Sequence, residues 1–317
     1  MSFFSLGRVL GFILFLGPTI ASASALAFIT NQGDNSVSVI DTVDQEVVAN
    51  VAVGDQPAGI SINPAGNRAY VSNPGDATVS VIDIESLSVI KTLDAGAGPL
   101  ALLATDDHLY VADWYDDYID VVSTENFKSS ERIPVGDSPS GLAISPNGQT
   151  LYVSNRDDNT VQAINLDTPT ESRLVTTGER PFGMTLDRSG DTLYVANVQS
   201  NSVSVIATAS MKKLADITVG DRPYAVALAL NDTKAFVTDQ YDDTVTVIDT
   251  QTMQVIDTIE VEEYPEGIAT HPDDQHVLVA HWFSNSVGFI DAKTHKLTTT
   301  VVVGDGPRAY GNFITTD

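Results

Sequence analysis

The chain has 317 residues, 43% of them hydrophobic and 18% charged, with 22 glycines, 14 prolines and no cysteine. Apolar content that high excludes a disordered chain, and the missing thiol excludes disulfides, cysteine–zinc sites and a cysteine nucleophile. The 42 acidic against 16 basic residues give a net charge of −26, which repels phosphate backbones and anionic lipids, so no nucleic acid and no membrane surface is an expected partner.

Residues 1–25 read as a signal peptide. Arg8 supplies the positive start, Val9–Leu16 a short apolar run, and Ala21–Ala25 two overlapping Ala-x-Ala cleavage frames. The run is too short to span a bilayer as a helix. The chain is therefore expected to be periplasmic or secreted, with no membrane insertion and cleavage near Ala25.

From Leu26 onward the sequence repeats itself. A Gly-Asp-x-Pro element recurs at Gly54–Pro57, Gly136–Pro139, Gly178–Pro181, Gly220–Pro223 and Gly304–Pro307, with weaker copies at Gly96–Pro99 and Glu262–Pro265. Successive copies lie 42, 40, 42, 42, 42 and 42 residues apart. A Tyr-Val-x-Asn element follows each at a fixed offset, as in Tyr70–Asn73, Tyr152–Asn155 and Tyr194–Asn197, with weaker copies at Phe28–Asn31 and Leu278–His281. A third run, Thr78–Asp83, is matched by Ser36–Asp41, Thr244–Asp249 and Ser286–Asp291.

Each unit predicts four short strands: one after the proline (Pro57–Ile62 is the type), the Tyr-Val run, the Thr-Val run, and one before the next Gly-Asp. Pro134 falls in a fourth strand, which requires that strand to be a sheet edge. Seven such units and no helical periodicity predict an all-β, seven-bladed β-propeller of four-stranded antiparallel blades. Residues 26–317 form one domain. The chain starts in a second-strand motif and ends after an isolated first-strand motif, Pro307–Phe313, so the C-terminal strand should join the N-terminal three and close the ring.

These motifs together resemble the YVTN-repeat β-propeller family of exported proteins, over essentially the whole chain after residue 25. The resemblance implies a seven-bladed ring related to the haem-d1 domain of nitrite reductases and the amine dehydrogenase heavy chain. It implies no single activity.

Function is sought where the ring departs from its own repeat. The residues flanking the prolines include Arg180 with Phe182, Arg222 with Tyr224, Tyr264 with Glu266, and Arg308. After the second strands come Trp114-Tyr115, Arg156, Gln240-Tyr241 and His281-Trp282-Phe283. All belong to one face of the ring, around the channel mouth. Four of the eight arginines beyond residue 25 fall there, and guanidinium forks between aromatic walls suit carboxylates or phosphates. Arg180, Arg222 and Arg308 are expected to hold an anionic group together. The competing expectation is that arginines pair with the abundant aspartates while aromatics plug the channel.

The acidic loops Asp116-Asp117, Asp157–Asn159 and Asp242-Asp243 lack EF-hand spacing and read as tight-turn chemistry rather than calcium sites. The five histidines sit at different repeat positions, and no pair has metal-ligand spacing; His271, His276 and His295 should lie on the face opposite His281. No metal and no cofactor are expected. Hydrolase, phosphate-loop and haem-attachment motifs are absent. The leading expectation is a monomeric, non-enzymatic module binding a small anionic ligand or a protein partner. The alternative is a lyase, lactonase or redox accessory protein using Glu266 and His281 as an acid/base pair.

Overall fold

The computed structural model describes residue 1 and residues 25–316; the signal-peptide expectation, apart from its two end residues, falls outside them. The described residues form 28 strands and no helix. They build a ring of seven antiparallel blades, with the first strand of each blade innermost and the fourth at the rim.

Blade 3 is typical: Pro99–Ala104, His108–Asp113, Tyr118–Ser123 and Ser129–Pro134, hydrogen-bonded in that order. Its fourth strand is the edge that Pro134 requires. Second and third strands are buried on both faces, as in Thr78–Asp83, because each blade packs between two neighbours. Fourth strands are largely exposed.

The two strongest sequence motifs explain each other. A Cβ on Gly54 would lie 2.6 Å from Asn73, and one on Gly178 would lie 2.8 Å from Asn197. The glycine of these linkers is thus the space into which the following Asn packs. That Asn then fastens the second strand to the third: Asn197 Nδ2 donates to Ser202 and Ser204, and Asn73 Nδ2 to Thr78 and Ser80.

The acidic loops stitch blade to blade. Asn159, Asp243 and Asp117 hold a left-handed φ near +55°, and their side-chain oxygens accept from the backbone N–H of Arg180, Tyr264 and Ser138 in the next linker. Asp158 and Asp242 instead accept from Asp137 N and Asp221 N, in the linker that leads into their own blade. A short polar side chain that tolerates left-handed backbone is what this position needs.

Ring closure joins the two ends of the described chain. Thr30 O accepts from Arg308 N, Phe313 O from Phe28 N, and Leu26 O from Thr315 N. Pro307 and Ile314 bridge antiparallel to Asn31 and Ala27. Between them Tyr310–Asn312 leans away and pairs in parallel with Gly59–Ile62 of blade 2. The closing strand therefore serves two blades rather than one.

Candidate functional site

The strand alternation that buries Asn155 inside its blade turns the next residue toward the channel. That one position supplies a wall residue from every blade: Gln32, Pro74, Trp114, Arg156, Val198, Gln240 and Trp282 all line a cavity of about 530 Å³ at the mouth. Residues just before and after the linker prolines add Gly98, Arg222 and Tyr264, then Leu100, Phe182, Tyr224, Glu266 and Arg308.

The floor is aromatic. Phe182 and Tyr224 have ring centroids 4.5 Å apart, and Tyr310 lies 4.9 Å from Phe182 and 5.4 Å from Tyr224. All three are buried, and they separate the mouth from a second cavity at the lower end of the channel, also about 530 Å³. Aromatics do plug the channel, but midway along it. Tyr310 was missed in the sequence because it belongs to the closing strand, where no repeat neighbour marks it.

On this floor stands one buried ion pair. Arg308 Nε donates to Glu266 Oε2 at 2.7 Å, and Arg308 Nη2 donates to Glu266 Oε1 and to Tyr224 Oη at 3.0 Å. Gln240 Nε2 donates to Glu266 Oε1. The Arg308 guanidinium also stacks 4.5 Å from the Trp282 ring. Burial pushes the Glu266 carboxyl up, and the Arg308 charge pulls it back. Burial works against the Arg308 charge, but Glu266 and Tyr224 outweigh it and hold Arg308 above its ordinary value. The Tyr224 phenol is raised, chiefly by burial. Glu266 and Arg308 neutralise each other.

The remaining cations are differently placed. Arg156 stacks on Trp114 and pairs with Asp157 at 2.7 Å. Burial lowers its pKa; Asp157 opposes that, while Arg180 and Arg222 push it lower still. The half-buried Arg222 stacks on Tyr241, and no carboxylate lies within ion-pair distance of it among the described residues. Excess positive charge at the mouth therefore centres on Arg222, with Arg156 beside it sharing Asp157 with the exposed Arg180.

Two corrections to the sequence expectation follow. Arg180, Arg222 and Arg308 do not share a layer: the first two precede their prolines, whereas Arg308 follows its own and joins the deeper ring with Phe182, Tyr224 and Glu266. Arg180 is exposed, outside the cavity, 3.9 Å from Asp157. The other expected residues, Trp114, Arg156, Phe182, Arg222, Tyr224, Tyr264, Glu266, Trp282 and Arg308, do meet in one cavity.

His281 is the second correction. It is fully buried inside blade 7 at the Asn position and does not reach the mouth. Ser286 Oγ gives its proton to Glu262, so it accepts from His281 Nδ1 at 2.9 Å, reproducing the Asn-to-third-strand bond. Gly288 stands where other blades carry a polar side chain, and a Cβ there would lie 2.7 Å from the imidazole. Burial pushes the His281 pKa down to about 4, against Glu262 and Asp243. The imidazole is neutral and sealed inside the blade, so the acid/base pairing with Glu266 loses its geometry. Asp239, at the same repeat position in blade 6, is pushed up to about 7 by burial while accepting from Thr246 and Thr244.

The remaining histidines hold one surprise. His271 and His276 do come together with Asp273, their ligand atoms within 4.8 Å of one another, at the turn between the first two strands of blade 7. The sequence spacing had suggested that no such set existed.

The chain is similar to the family model "Lactonase, 7-bladed beta-propeller" over residues 119–219, which run from blade 3 to the end of blade 5. No curated protein matches the sequence. Among solved structures, Kuenenia stuttgartiensis hydrazine synthase superposes with a TM-score of 0.77 at 22% identity, covering 89% of this chain and 99% of that one. A putative 6-phosphogluconolactonase from Bacteroides uniformis gives 0.77 at 13% identity, over 90% and 98%. The dihydro-haem d1 dehydrogenase NirN, in complex with DHE, gives 0.68 at 16%, covering 87% of this chain and only 63% of that one. At these identities the likeness is one of fold.

Proposed function

We propose that this propeller, an exported protein of the YVTN-repeat type, binds a small anionic ligand in the mouth cavity. Arg156 and Arg222 grip the charge, and Trp114, Phe182, Tyr264 and Trp282 enclose the apolar body. The observation that carries this reading is the guanidinium of Arg222, half-buried beside a second arginine and without a carboxylate partner. Like charges so close raise the energy of the empty site, and a carboxylate or phosphate relieves it. The Glu266–Arg308 pair builds the floor; it is charge-neutral and leaves no free cation for the ligand. A cavity of about 530 Å³ suits a single small molecule.

A second reading, lactone hydrolysis, is favoured by the family model that covers Arg156, Phe182 and Val198. Opening a lactone releases a carboxylate, so the same arginines would hold the product. Glu266 and His281 do not supply its acid and base, because one is tied to Arg308 and the other is sealed inside a blade.

The test screens a defined panel of carboxylates, sugar acids and sugar phosphates by thermal shift at low salt, alongside aldonolactones assayed for ring opening. Binding without turnover supports the first reading, and catalysed ring opening the second. No shift and no turnover across the panel would refute both.

A further inference from the structure

We propose that His271, Asp273 and His276 bind one divalent transition-metal ion, of the zinc class, at the lower face of the ring. The site is independent of the mouth. It lies at the seam where blade 7 meets blade 1, and His271 also lines the lower cavity.

The argument starts from the tautomer of His271. The Thr42 hydroxyl donates to the Ala25 carbonyl at 2.7 Å. Its oxygen can then only accept from His271 Nε2, 3.0 Å away. The Nε2 proton is thereby fixed, and Nδ1 of the neutral ring keeps a lone pair. That lone pair receives Asp273 N–H at 3.2 Å and faces Asp273 Oδ1 at 3.1 Å. A lone pair beside a carboxylate oxygen is repulsive unless a proton or a metal ion lies between them, and a metal ion there would take the lone pair from the weak 3.2 Å contact with Asp273 N–H. On the other side of the carboxylate, Oδ2 lies 2.7 Å from His276 Nδ1.

These separations suit a metal. Ligand bonds of about 2.1 Å at the tetrahedral angle place neighbouring donors about 3.4 Å apart, so the 3.1 Å between His271 Nδ1 and Asp273 Oδ1 needs only a slight opening. Two imidazoles and one carboxylate leave further coordination positions open. Thr42 behind His271 is the kind of outer partner that orients a metal-bound imidazole. The neighbouring Asp274 is committed elsewhere, 2.6 Å from Arg188. The turn itself does not require the histidines, since the equivalent positions in blade 4 are Ser145 and Thr150. Asp273 is needed there, because its Oδ1 accepts from Gln275 N and His276 N, and an Asn would keep those bonds.

The experiment uses tag-free mature protein stripped with chelator, titrated with Zn²⁺ against a competing chromophoric chelator, with Co²⁺ absorption as a second readout. One equivalent should bind with micromolar or tighter affinity. Asp273→Asn and His276→Ala should each weaken it at least tenfold at unchanged metal-free melting temperature, and Thr42→Val by about tenfold. A protein with no saturable one-to-one binding, or one whose affinity survives in both Asp273→Asn and His276→Ala, would overturn the site.

Discussion

In every blade two adjacent residues at the end of the second strand face opposite ways, and their contents differ sharply. The first, turned into the blade, reads Asn31, Asn73, Asp113, Asn155, Asn197, Asp239 and His281. The second, turned into the channel mouth, reads Gln32, Pro74, Trp114, Arg156, Val198, Gln240 and Trp282. The inner ring is held to short polar side chains by the linker glycine and the third-strand hydroxyls. The outer ring has no such repeated partner and differs from blade to blade; apart from Gln240 and Trp282, which hold the Glu266–Arg308 pair, what it carries is not set by the repeat. Changes in the inner ring should move stability and its pH dependence, whereas changes in the outer ring should move binding alone.

The most drastic change to the framework removes its closure. Deleting Gly304–Asp317 takes away the bonds to Leu26, Phe28 and Thr30, buried Phe313 and Ile314, and the Arg308 partner of Glu266. The truncated chain should not fold cooperatively, which calorimetry would show as a missing transition. A melting temperature near the full-length value would mean the ring does not depend on this seam.

Glu266 belongs to neither ring but is bonded to Gln240 of the second and to Arg308, and so blurs the division. Glu266→Ala leaves Arg308 charged and largely buried, which should cost about 3–5 kcal/mol in denaturant unfolding. Replacing the pair together, Glu266→Leu with Arg308→Met, should recover most of that loss, because neither charge is then left alone. If the double variant is as unstable as the single one, the pair's value lies in packing rather than charge.

Two of the inner ring's three departures from Asn, His281 and Asp239, give opposite pH slopes. His281 is held at about 4 against an ordinary 6.5, so the unfolded chain binds the extra proton first. Its contribution is present above pH 6.5 and is lost as pH falls toward 4, about 3 kcal/mol in all. Asp239 is raised to about 7 from 3.8, so its contribution is present below pH 3.8 and is lost as pH rises through 7, about 4 kcal/mol. His281→Asn with Gly288→Ser should therefore flatten the acid side of the stability profile, and Asp239→Asn should stabilise the protein mainly at pH 7 and above. Urea midpoints at pH 4.5 and 7.5 separate the two, and parallel shifts at both would contradict the burial argument.

The sequence carried the inner ring almost completely, because seven copies of one solution repeat the same spacing. Of the fifteen residues it singled out around the mouth, eleven line the cavity, and Arg180, Tyr241, His281 and Phe283 do not. It erred where a local contact decides the outcome. His281 stood out as a break in the repeat, yet Gly288, seven residues on, had already made room for it in the core. Arg308 and Arg222 looked equivalent until their places on either side of proline put them in different layers. The metal-spaced histidines were invisible because a turn, not a strand, brings them together.

The central claim is that Arg156 and Arg222 hold an anion, and it is tested most directly by calorimetric titration of Arg156→Gln/Arg222→Gln. The titrant is whichever member of the carboxylate, sugar-acid and sugar-phosphate panel shifts the wild-type protein most. Each charge-assisted contact contributes about 1.5–3 kcal/mol, so the double variant should lose at least a hundredfold in affinity. Its melting temperature should stay within a few degrees of wild type, since neither arginine supports the core. Affinity retained within threefold, in a normally folded variant, would contradict the account.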